Sequence, residues 1–295
     1  MIGRGTIIAV LLVIELAIVG EAGVVIHGGR PAPSPGQRAA SGARLVEDGP
    51  HQVFGAGAHP ALTVDIGYAD LTILAGETSQ VDVSLRASTA YGVLRARAPI
   101  TARADGETID IATADAGGWS TGDNRRVIVR VPPGTKVTVV DAGDIQATGL
   151  RAEASFKSIG RGSVTLDDYA APALRIASNG RIGLHRIVAA HLDATSDDGR
   201  VDGTEMQVRD GSIESDGRVT LGLAAGTDTL VTAETSAGRI SVSGFPAAAS
   251  PTTSRTSGDD GADEASSRTV RVGAGNGHLD VHASDGDIIV AAPPG

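Results

Sequence analysis

The sequence predicts an all-β fold, built as a single-stack β-solenoid (β-helix), and the main observation behind this prediction is an internal repeat. One phrase recurs seven times between residues 141 and 281: a small or polar residue, Gly, a polar residue and an aliphatic residue. The steps between its glycines are 19, 18, 19, 18, 21 and 39 residues. The glycines are Gly143, Gly162, Gly180, Gly199, Gly217, Gly238 and Gly277. A fixed period near 19 residues is typical of stacked structural units.

Two further observations agree with a solenoid. Stretches of alternating apolar and polar residues, such as RVIVRV (126–131) and ALRIAS (173–178), have the pattern of half-buried strands. The 295 residues include 40 Gly but only three Phe, three Tyr and one Trp. A thin coil is filled by Val, Ile, Leu and Ala rather than by aromatic side chains. We therefore expect coils of about 19 residues over residues 53–291, preceded by an N-terminal hydrophobic helix.

The N-terminal segment predicts export. Residues 6–26 form a run of 21 mostly apolar residues, which as a helix is long enough to cross a bilayer core. Residues 1–27 are therefore expected to be a transmembrane anchor or a signal segment. Glu15 is costly at bilayer depth, and the small residues around Ala22 fit a cleavage site, so a cleaved signal remains an alternative.

The orientation of this segment rests on conflicting signals. Both the anchor and the signal would place the following domain outside the cytoplasm. The basic residues Arg30, Arg38 and Arg44 lie on the carboxyl side, which by the positive-inside rule favours the opposite orientation. We expect a single-pass protein of the bacterial cell membrane with an extracytoplasmic solenoid, because residues 28–52 have the Pro/Gly/Ala composition of an exposed flexible linker.

A second low-complexity segment interrupts the repeats. Residues 246–268 are dominated by Ala, Ser, Thr, Asp and Gly, and they account for most of the 39-residue step. Such a composition buries too little apolar surface to order itself. We expect a disordered insertion at 246–268 within the solenoid.

Each position of the repeat phrase has a structural interpretation. The Gly provides a left-handed or otherwise crowded turn that a side chain would penalise. The second and fourth residues after it point to the same side of a strand and should be core residues, as in Ile182 and Leu184. On this basis, changing Ile182 or Ile240 to Asp is expected to collapse the fold.

The residue directly after the Gly is expected to point outward, and in four copies it is arginine: Arg181, Arg200, Arg218 and Arg239. In register, these would form a ladder of guanidinium groups about 5 Å apart, capped by His278. One interpretation is a linear site for a polyanion, such as lipid phosphate or an acidic glycan. The alternative is a solvated turn in which Asp198, Asp202 and Asp216 compensate the charge.

Composition excludes several classes of function. A net charge of -10 and a pI near 5.1 argue against a nucleic-acid partner. The absence of cysteine excludes disulfides, thiolate metal sites and cysteine nucleophiles. The sequence assigns no catalytic, cofactor-binding or metal-binding residue, and no cofactor is expected. His278, Asp280 and His282 would share one strand face and suit a divalent metal, but two histidines without a further defined ligand are weak evidence.

Three segments resemble a known family: RVIVRVPPGTKVTVVDAGDIQATGL (126–150), TVDIGYADLTILAG (63–76) and SDGDIIV (284–290). With them, the chain resembles the bacterial β-strand-repeat family of putative adhesins, whose function is unknown. The resemblance implies an envelope-associated β-solenoid without established catalytic residues. The insertion and the arginine ladder depart from that pattern, so no functional residue is transferred.

These observations favour a non-enzymatic, membrane-tethered extracytoplasmic β-solenoid that acts as an adhesin-like or envelope-sensing surface protein. Its expected partners are the membrane, through residues 6–26, and an envelope polyanion or glycan; protein partners cannot be named from the sequence. Two alternatives stay open: a polysaccharide-active β-helix enzyme with its Asp residues on one strand face, and a purely structural envelope spacer.

Overall fold

The computed structural model describes residues 45–89, 100–113, 123–245, 252–256 and 265–292. Regular secondary structure in these residues is entirely β-strand, in a hydrogen-bonded system of twenty strands, which confirms the all-β prediction. The predicted anchor or signal segment, residues 1–27, lies outside the described residues. Within the described part of the chain, the structure contains no helix that could span a membrane.

The strands are as follows. The amino-terminal half holds β1 (Leu45–Gly55), β2 (Ala61–Asp65), β3 (Asp70–Ala75), β4 (Gln80–Thr89), β5 (Ile100–Asp105), β6 (Thr108–Thr113), β7 (Asp123–Val131), β8 (Lys136–Ala142), β9 (Ile145–Thr148) and β10 (Ala154–Ser158). The carboxyl-terminal half holds β11 (Val164–Ser178), β12 (Ile182–Ser196), β13 (Val201–Ser215), β14 (Val219–Leu223), β15 (Thr229–Thr235), β16 (Ile240–Ser243), β17 (Thr252–Thr256), β18 (Ala265–Val272), β19 (Gly277–Ala283) and β20 (Ile288–Ala291).

The strands stack into two faces around a shared core. Face A runs β1, β4, β7, β3, β9, the first halves of β11, β12 and β13, then β14, β20 and β16. Face B runs β5, β6, β2, β8, β10, the second halves of β11, β12 and β13, then β19, β15, β18 and β17. Pairing is parallel inside the stack and antiparallel among the strands near its ends.

The three longest strands pass from face A to face B around a bend. β11, β12 and β13 each have 15 residues, and they bend at Asp168, Arg186 and Glu205, whose φ angles are 54°, 51° and 53°. Gly149, with φ 77°, occupies the same place one coil earlier. A non-glycine residue in this left-handed region costs about 1–2 kcal/mol. The bend is therefore a strained corner that the surrounding parallel pairing holds in place.

The opposite corner is formed by the repeat glycines, and crowding explains them. A Cβ atom at Gly162, Gly180, Gly199 or Gly217 would lie closer than 3.0 Å to the carbonyl group of the preceding glycine in the column. None of these glycines has a left-handed φ. Of the two roles predicted for the glycine, the crowded turn is correct and the left-handed turn is wrong, because consecutive coils approach backbone to backbone at this corner.

Buried hydroxyl groups satisfy the carbonyl groups of the glycine corner. Ser196 Oγ donates to the Gly180 carbonyl oxygen at 2.7 Å, and Ser215 Oγ donates to the Gly199 carbonyl oxygen at 3.0 Å. Ser178 and Thr235 make the same kind of contact in their coils. A buried carbonyl group without a partner costs about 1–3 kcal/mol. The hydroxyl groups therefore satisfy the carbonyl groups of four corner glycines, and the last coil has Ala283 at the corresponding position.

The coils do not stack in chain order. The last coil, β19 and β20, pairs on one side with β13 and β14 and on the other with β15 and β16, so it lies between two coils that precede it in sequence. Accordingly, Gly286 packs on Gly217, and Gly238 packs on Gly286. Gly277, the seventh glycine of the predicted series, instead packs against Arg209. The expected succession of coils is therefore corrected beyond Gly217.

A related insertion occurs near the other end. The coil of β2 and β3 lies between the coil of β6 and β7 and the coil of β8 and β9, and all four pairings are parallel. Two coils that are distant in sequence thus sandwich an early one. Such non-local pairing must overcome loop-closure entropy before it is stabilised.

Two predicted irregular segments contain strands. β1 begins at Leu45 and pairs with β4, so residues 45–52 of the expected flexible linker are strand. In the expected disordered insertion, 252–256 form β17, and 265–268 belong to β18, which pairs with the edge of β15. The physical reason is the same in both places, since a sheet edge offers unpaired backbone groups to any extended segment, whatever its side chains.

The core follows the predicted alternation. The second and fourth positions after the corner glycines are buried in most coils, as at Ile182, Leu184, Val219 and Leu221. Ile240 and Val242 are only partly buried, because β16 is the last strand of face A in the described residues and pairs with β20 alone. Ile240 is thus a weaker core position than expected, and we now expect collapse on substitution by Asp at Ile182 but not at Ile240.

This difference can be measured. Ile182→Ala removes a fully buried side chain from the middle of the stack and is expected to lower the free energy of unfolding by about 3 kcal/mol. Ile240→Ala at the end of the stack should cost less than half of that. Chemical denaturation of both variants checks the order. Equal losses would contradict the assignment of Ile240 to a terminal rung.

The crowding at the glycine corner can be tested by substitution, with a glycine on a nearby strand as the matched control. Gly199→Ala places a Cβ against the Gly180 carbonyl group and should destabilise the protein by about 2–3 kcal/mol. Gly183→Ala meets only the Thr165 side chain, at 3.6 Å, and should be neutral or slightly stabilising. Thermal unfolding of the two variants provides the comparison. A Gly199→Ala variant as stable as the wild type would rule out the close backbone contact.

Candidate functional site

The candidate site is a row of outward-facing side chains on face A, each directly after a corner glycine; we call it the arginine row. Parallel register aligns its members, because the residues that follow them are partners in successive strands, from Ile145 to Ile240. In spatial order the row is Asp144, Ser163, Arg181, Arg200, Arg218, Asp287 and Arg239. Neighbouring members are therefore separated by one strand spacing, about 4.8 Å.

Three of the four predicted arginines are brought together. Arg181, Arg200 and Arg218 occupy successive rungs, but Asp287 of the last coil lies between Arg218 and Arg239. The expected ladder of four consecutive arginines is wrong for this reason. His278 does not cap the row either, since it lies on face B, where its Nε2 is 2.8 Å from Asp280 Oδ1.

Asp287 is the residue that sequence reasoning missed. The segment DGDI at 285–288 matches the repeat phrase, with Gly286 as its glycine and Asp287 at the arginine position. Counting it as an eighth copy would have placed a carboxylate in the row. Its position between Arg218 and Arg239 could not be inferred from the period, because the period gives distances along the chain and not the order of contacts.

A shared carboxylate holds the first two guanidinium groups. Asp202 Oδ2 lies 2.8 Å from Arg181 Nε and 2.9 Å from Arg200 Nε. Asp202 is on the strand of Arg200, and its partner on the strand of Arg181 is Gly183. Asp202 Oδ2 accepts no hydrogen bond from a described residue, so both contacts are ion pairs that balance charge without directing the guanidinium N–H groups.

The remaining charges of the row are compensated less fully. Arg218 Nη2 is 3.4 Å from Asp287 Oδ2, and Asp287 Oδ1 accepts a hydrogen bond from the Arg239 backbone at 3.0 Å. The side chains of Arg181, Arg200 and Arg218 are 55%, 55% and 59% exposed. Each guanidinium group thus lies near a carboxylate on a side chain that is more than half exposed to solvent.

Two carboxylates expected to compensate the row do not. Asp198 and Asp216 directly precede the corner glycines, on the other side of the glycine column from the arginines. Both are exposed, and neither forms an ion pair with a residue that the structure describes. The corner therefore carries a column of acidic side chains beside a column of arginines.

Perturbed ionisable groups elsewhere have structural causes. A hydrogen bond from the Arg209 side chain, with another from the His278 backbone, lowers the pKa of Asp210. Hydrogen bonds from Asn276 lower the pKa of Asp228, which fastens the turn before β19. Burial raises the pKa of Tyr169, whose hydroxyl group lies 3.0 Å from the Ala152 carbonyl oxygen. Each of these shifts thus has a local structural cause, in burial or in hydrogen bonds from neighbouring residues.

The metal alternative gains no support from the geometry. His278, Asp280 and His282 do share an outer face of β19, as expected. Among the described residues, however, no three His, Cys, Asp or Glu side chains are grouped closely enough to hold a metal ion. His278 instead has Asp280 as its ion-pair partner.

Face B carries a shallow groove that the sequence did not predict. It has a volume of about 240 Å³ and is lined in part by Val188, Gln207, Arg209 and Asp228. Val188 is 46% exposed, an unusual position for a large apolar side chain in the middle of a strand. In the sequence, Val188 is an extra apolar residue that breaks the alternation of β12. Single exposed apolar residues are common on protein surfaces, so this signal does not by itself predict a groove.

Comparison with known proteins identifies the family. Residues 59–291 match the family model described as Toastrack DUF4097. The chain belongs to the Toastrack DUF4097 family. This confirms the resemblance to the β-strand-repeat family of adhesins of unknown function, and it covers nearly all of the described toastrack stack. No curated protein matches the chain.

Solved structures with related folds are distant. A putative cell adhesion protein from Clostridium sporogenes is 12% identical, with a TM-score of 0.36, 84% of this chain covered and 100% of that one. A putative adhesin from Bacteroides fragilis is 9% identical, with a TM-score of 0.39 and coverage of 85% and 98%. A putative lipid binding protein from Parabacteroides distasonis is 9% identical, with a TM-score of 0.36 and coverage of 86% and 94%. These values support no transfer of function.

The shared carboxylate gives a testable property of the toastrack domain. Asp202→Asn leaves the Arg181 and Arg200 guanidinium groups without their common partner and should lower the free energy of unfolding by up to about 1 kcal/mol at low salt. The loss should shrink at about 1 M NaCl, where the screening length falls to about 3 Å. Denaturant titrations at the two salt concentrations measure it, with Asp198→Asn, at an exposed residue that has no ion pair among the described residues, as control. A loss independent of salt would contradict the ion-pair geometry.

Proposed function

We propose that this toastrack protein is a non-enzymatic, adhesin-like or envelope-sensing surface protein. In this proposal residues 6–26 hold it at the bacterial cell membrane in a single pass, and the solenoid lies outside the cytoplasm. It acts by binding to other envelope or surface components through the outer faces of its stack.

The observation that carries the proposal is the distribution of the charged groups. Ionisable residues stand in rows along the outer faces, at the strand spacing, and the three with shifted pKa values do not converge on one cleft: Tyr169 is buried, Asp210 is bound by Arg209 on β13, and Asp228 is the one of the three that lines the face B groove. An enzyme site typically brings groups with perturbed pKa values together in a cleft. Stacked repeats, in contrast, typically use their extended surfaces for binding.

Membrane attachment through residues 6–26 and export of the solenoid are supported by the sequence alone. The apolar run at 6–26 is long enough for one span, and β1 begins at Leu45. The intervening residues would allow the stack to stand away from the bilayer. Arg30, Arg38 and Arg44 favour the opposite orientation, so the side of the membrane is the part of the proposal that most needs an experiment.

Protease treatment of intact cells tests this proposal. If the solenoid is exposed, added protease removes it from intact cells, and a cytoplasmic control protein survives. The mass of the mature amino terminus, measured in parallel, is expected to include residues 6–26. Protection in intact cells, with digestion only after lysis, would contradict an extracytoplasmic location.

Attachment assays test the adhesin-like role. Cells that lack the protein should attach less well to the surfaces the parent strain colonises, and the wild-type gene should restore attachment. A gene carrying Ile182→Asp, which destroys the core, should not restore it. Equal attachment of all four strains would contradict the role.

A further inference from the structure

We infer that Arg181, Arg200 and Arg218 bind a linear polymer that carries repeated carboxylate, sulfate or phosphate groups, laid along the axis of the stack. This inference rests on the proposed function and names the ligand chemistry of the arginine row. It uses three rungs of face A, because Asp287 ends the run of arginines on one side and Ser163 ends it on the other.

The donors are accessible. Asp202 Oδ2 lies 2.8 and 2.9 Å from the Nε atoms of Arg181 and Arg200 in ion pairs, but it accepts no hydrogen bond from a described residue, so the N–H groups of both side chains are left for a ligand. No other described carboxylate lies within ion-pair distance of these two groups. A guanidinium group forms charge-assisted, bidentate hydrogen bonds with carboxylate, sulfate or phosphate oxygens.

The spacing favours a polymer over a single ion. Successive rungs are about 4.8 Å apart, so the three guanidinium groups form a line about 10 Å long. A single small anion would meet two of them at most. A chain with anionic groups at regular intervals would meet all three. Once one anionic group is bound, the next group on the same chain has a high effective concentration at the next arginine, so the contacts reinforce one another.

The charges around the arginine row determine the direction in which the polymer lies. On face A the three arginines have two carboxylates beside them, Asp202 within the three rungs and Asp287 on the next rung, so an excess of positive charge remains there. Asp198 and Asp216 stand beyond the glycine column without an ion pair among the described residues. A polyanion that crossed the corner would approach these carboxylates, and like charges repel. The polymer is thus confined to face A, parallel to the stack.

Binding of the full-length protein, held in neutral phosphatidylcholine nanodiscs, tests the inference, with polygalacturonate, dextran sulfate and long-chain polyphosphate as probes. Neutral dextran and vesicles containing phosphatidylglycerol are the comparison ligands. The site variant combines Arg181→Gln, Arg200→Gln and Arg218→Gln. The matched control combines Arg103→Gln, Arg175→Gln and Arg271→Gln, three exposed arginines of face B, and changes the net charge equally.

At least one anionic polymer is expected to bind the wild type, more weakly as salt rises. The site variant should weaken this binding about tenfold or more, while the control keeps it within about twofold. A third variant, Asp198→Asn with Asp216→Asn, should tighten binding ~2- to 5-fold because it removes repulsion. Thermal unfolding midpoints close to that of the wild type would show that the variants are folded.

Four results would overturn the inference: no binding of any anionic polymer, equal binding of neutral dextran, equal losses in the site variant and the face B control, or binding of anionic vesicles alone. The last result would replace the polymer with a lipid surface. None of these results bears on protease accessibility or cell attachment. Failure of the ligand assignment is therefore distinguishable from failure of the proposed surface function.

Discussion

The close approach of backbones at the glycine corner is the constraint on which the rest of the structure depends. From Gly162 onward each corner glycine lies on the carbonyl group of the glycine in the neighbouring coil, and Gly143 lies on that of Tyr68, at distances that no Cβ atom could tolerate. In four coils a buried serine or threonine hydroxyl then satisfies a corner carbonyl group that water does not reach. The backbone contacts and these hydrogen bonds together align the coils from Gly143 to Gly238.

This corner also determines the electrostatics of the candidate site. Every residue that follows a corner glycine is placed one strand spacing from its counterpart, so the identity of one residue per coil decides the charge pattern of face A. Because the last coil enters the stack between two earlier ones, it brings Asp287 next to Arg218. A chain stacked in sequence order would have presented four adjacent arginines. The inserted coil reduces these to three and supplies an acidic end.

Local patterns predicted the fold class, the coil length and the core, because period-2 alternation and glycine spacing report the immediate environment of each residue. Ile182 and Leu221, for example, are buried at positions that the alternation predicts. The order of the coils could not be predicted, since a period says nothing about which coil touches which. The strand at 252–256 was missed because an edge pairs through backbone groups, and its side chains carry no signal. At the site, the arginines and Asp202 were found, but the sharing of Asp202 by Arg181 and Arg200 depended on the strand register, which sequence alone did not show.

The central claim, that the last coil is inserted between β13 and β15, can be tested directly because the chain has no cysteine. Ser212 is the partner of Asp280, and Asp280 is the partner of Thr232, on successive strands of face B. Ser212→Cys with Asp280→Cys would place the two thiols one strand apart, about 4.8 Å, within reach of a disulfide. Ser212→Cys with Thr232→Cys would separate them by two strands, too far for a bond. Mass spectrometry under oxidising conditions should detect the first disulfide and not the second; the reverse result would contradict the inserted coil.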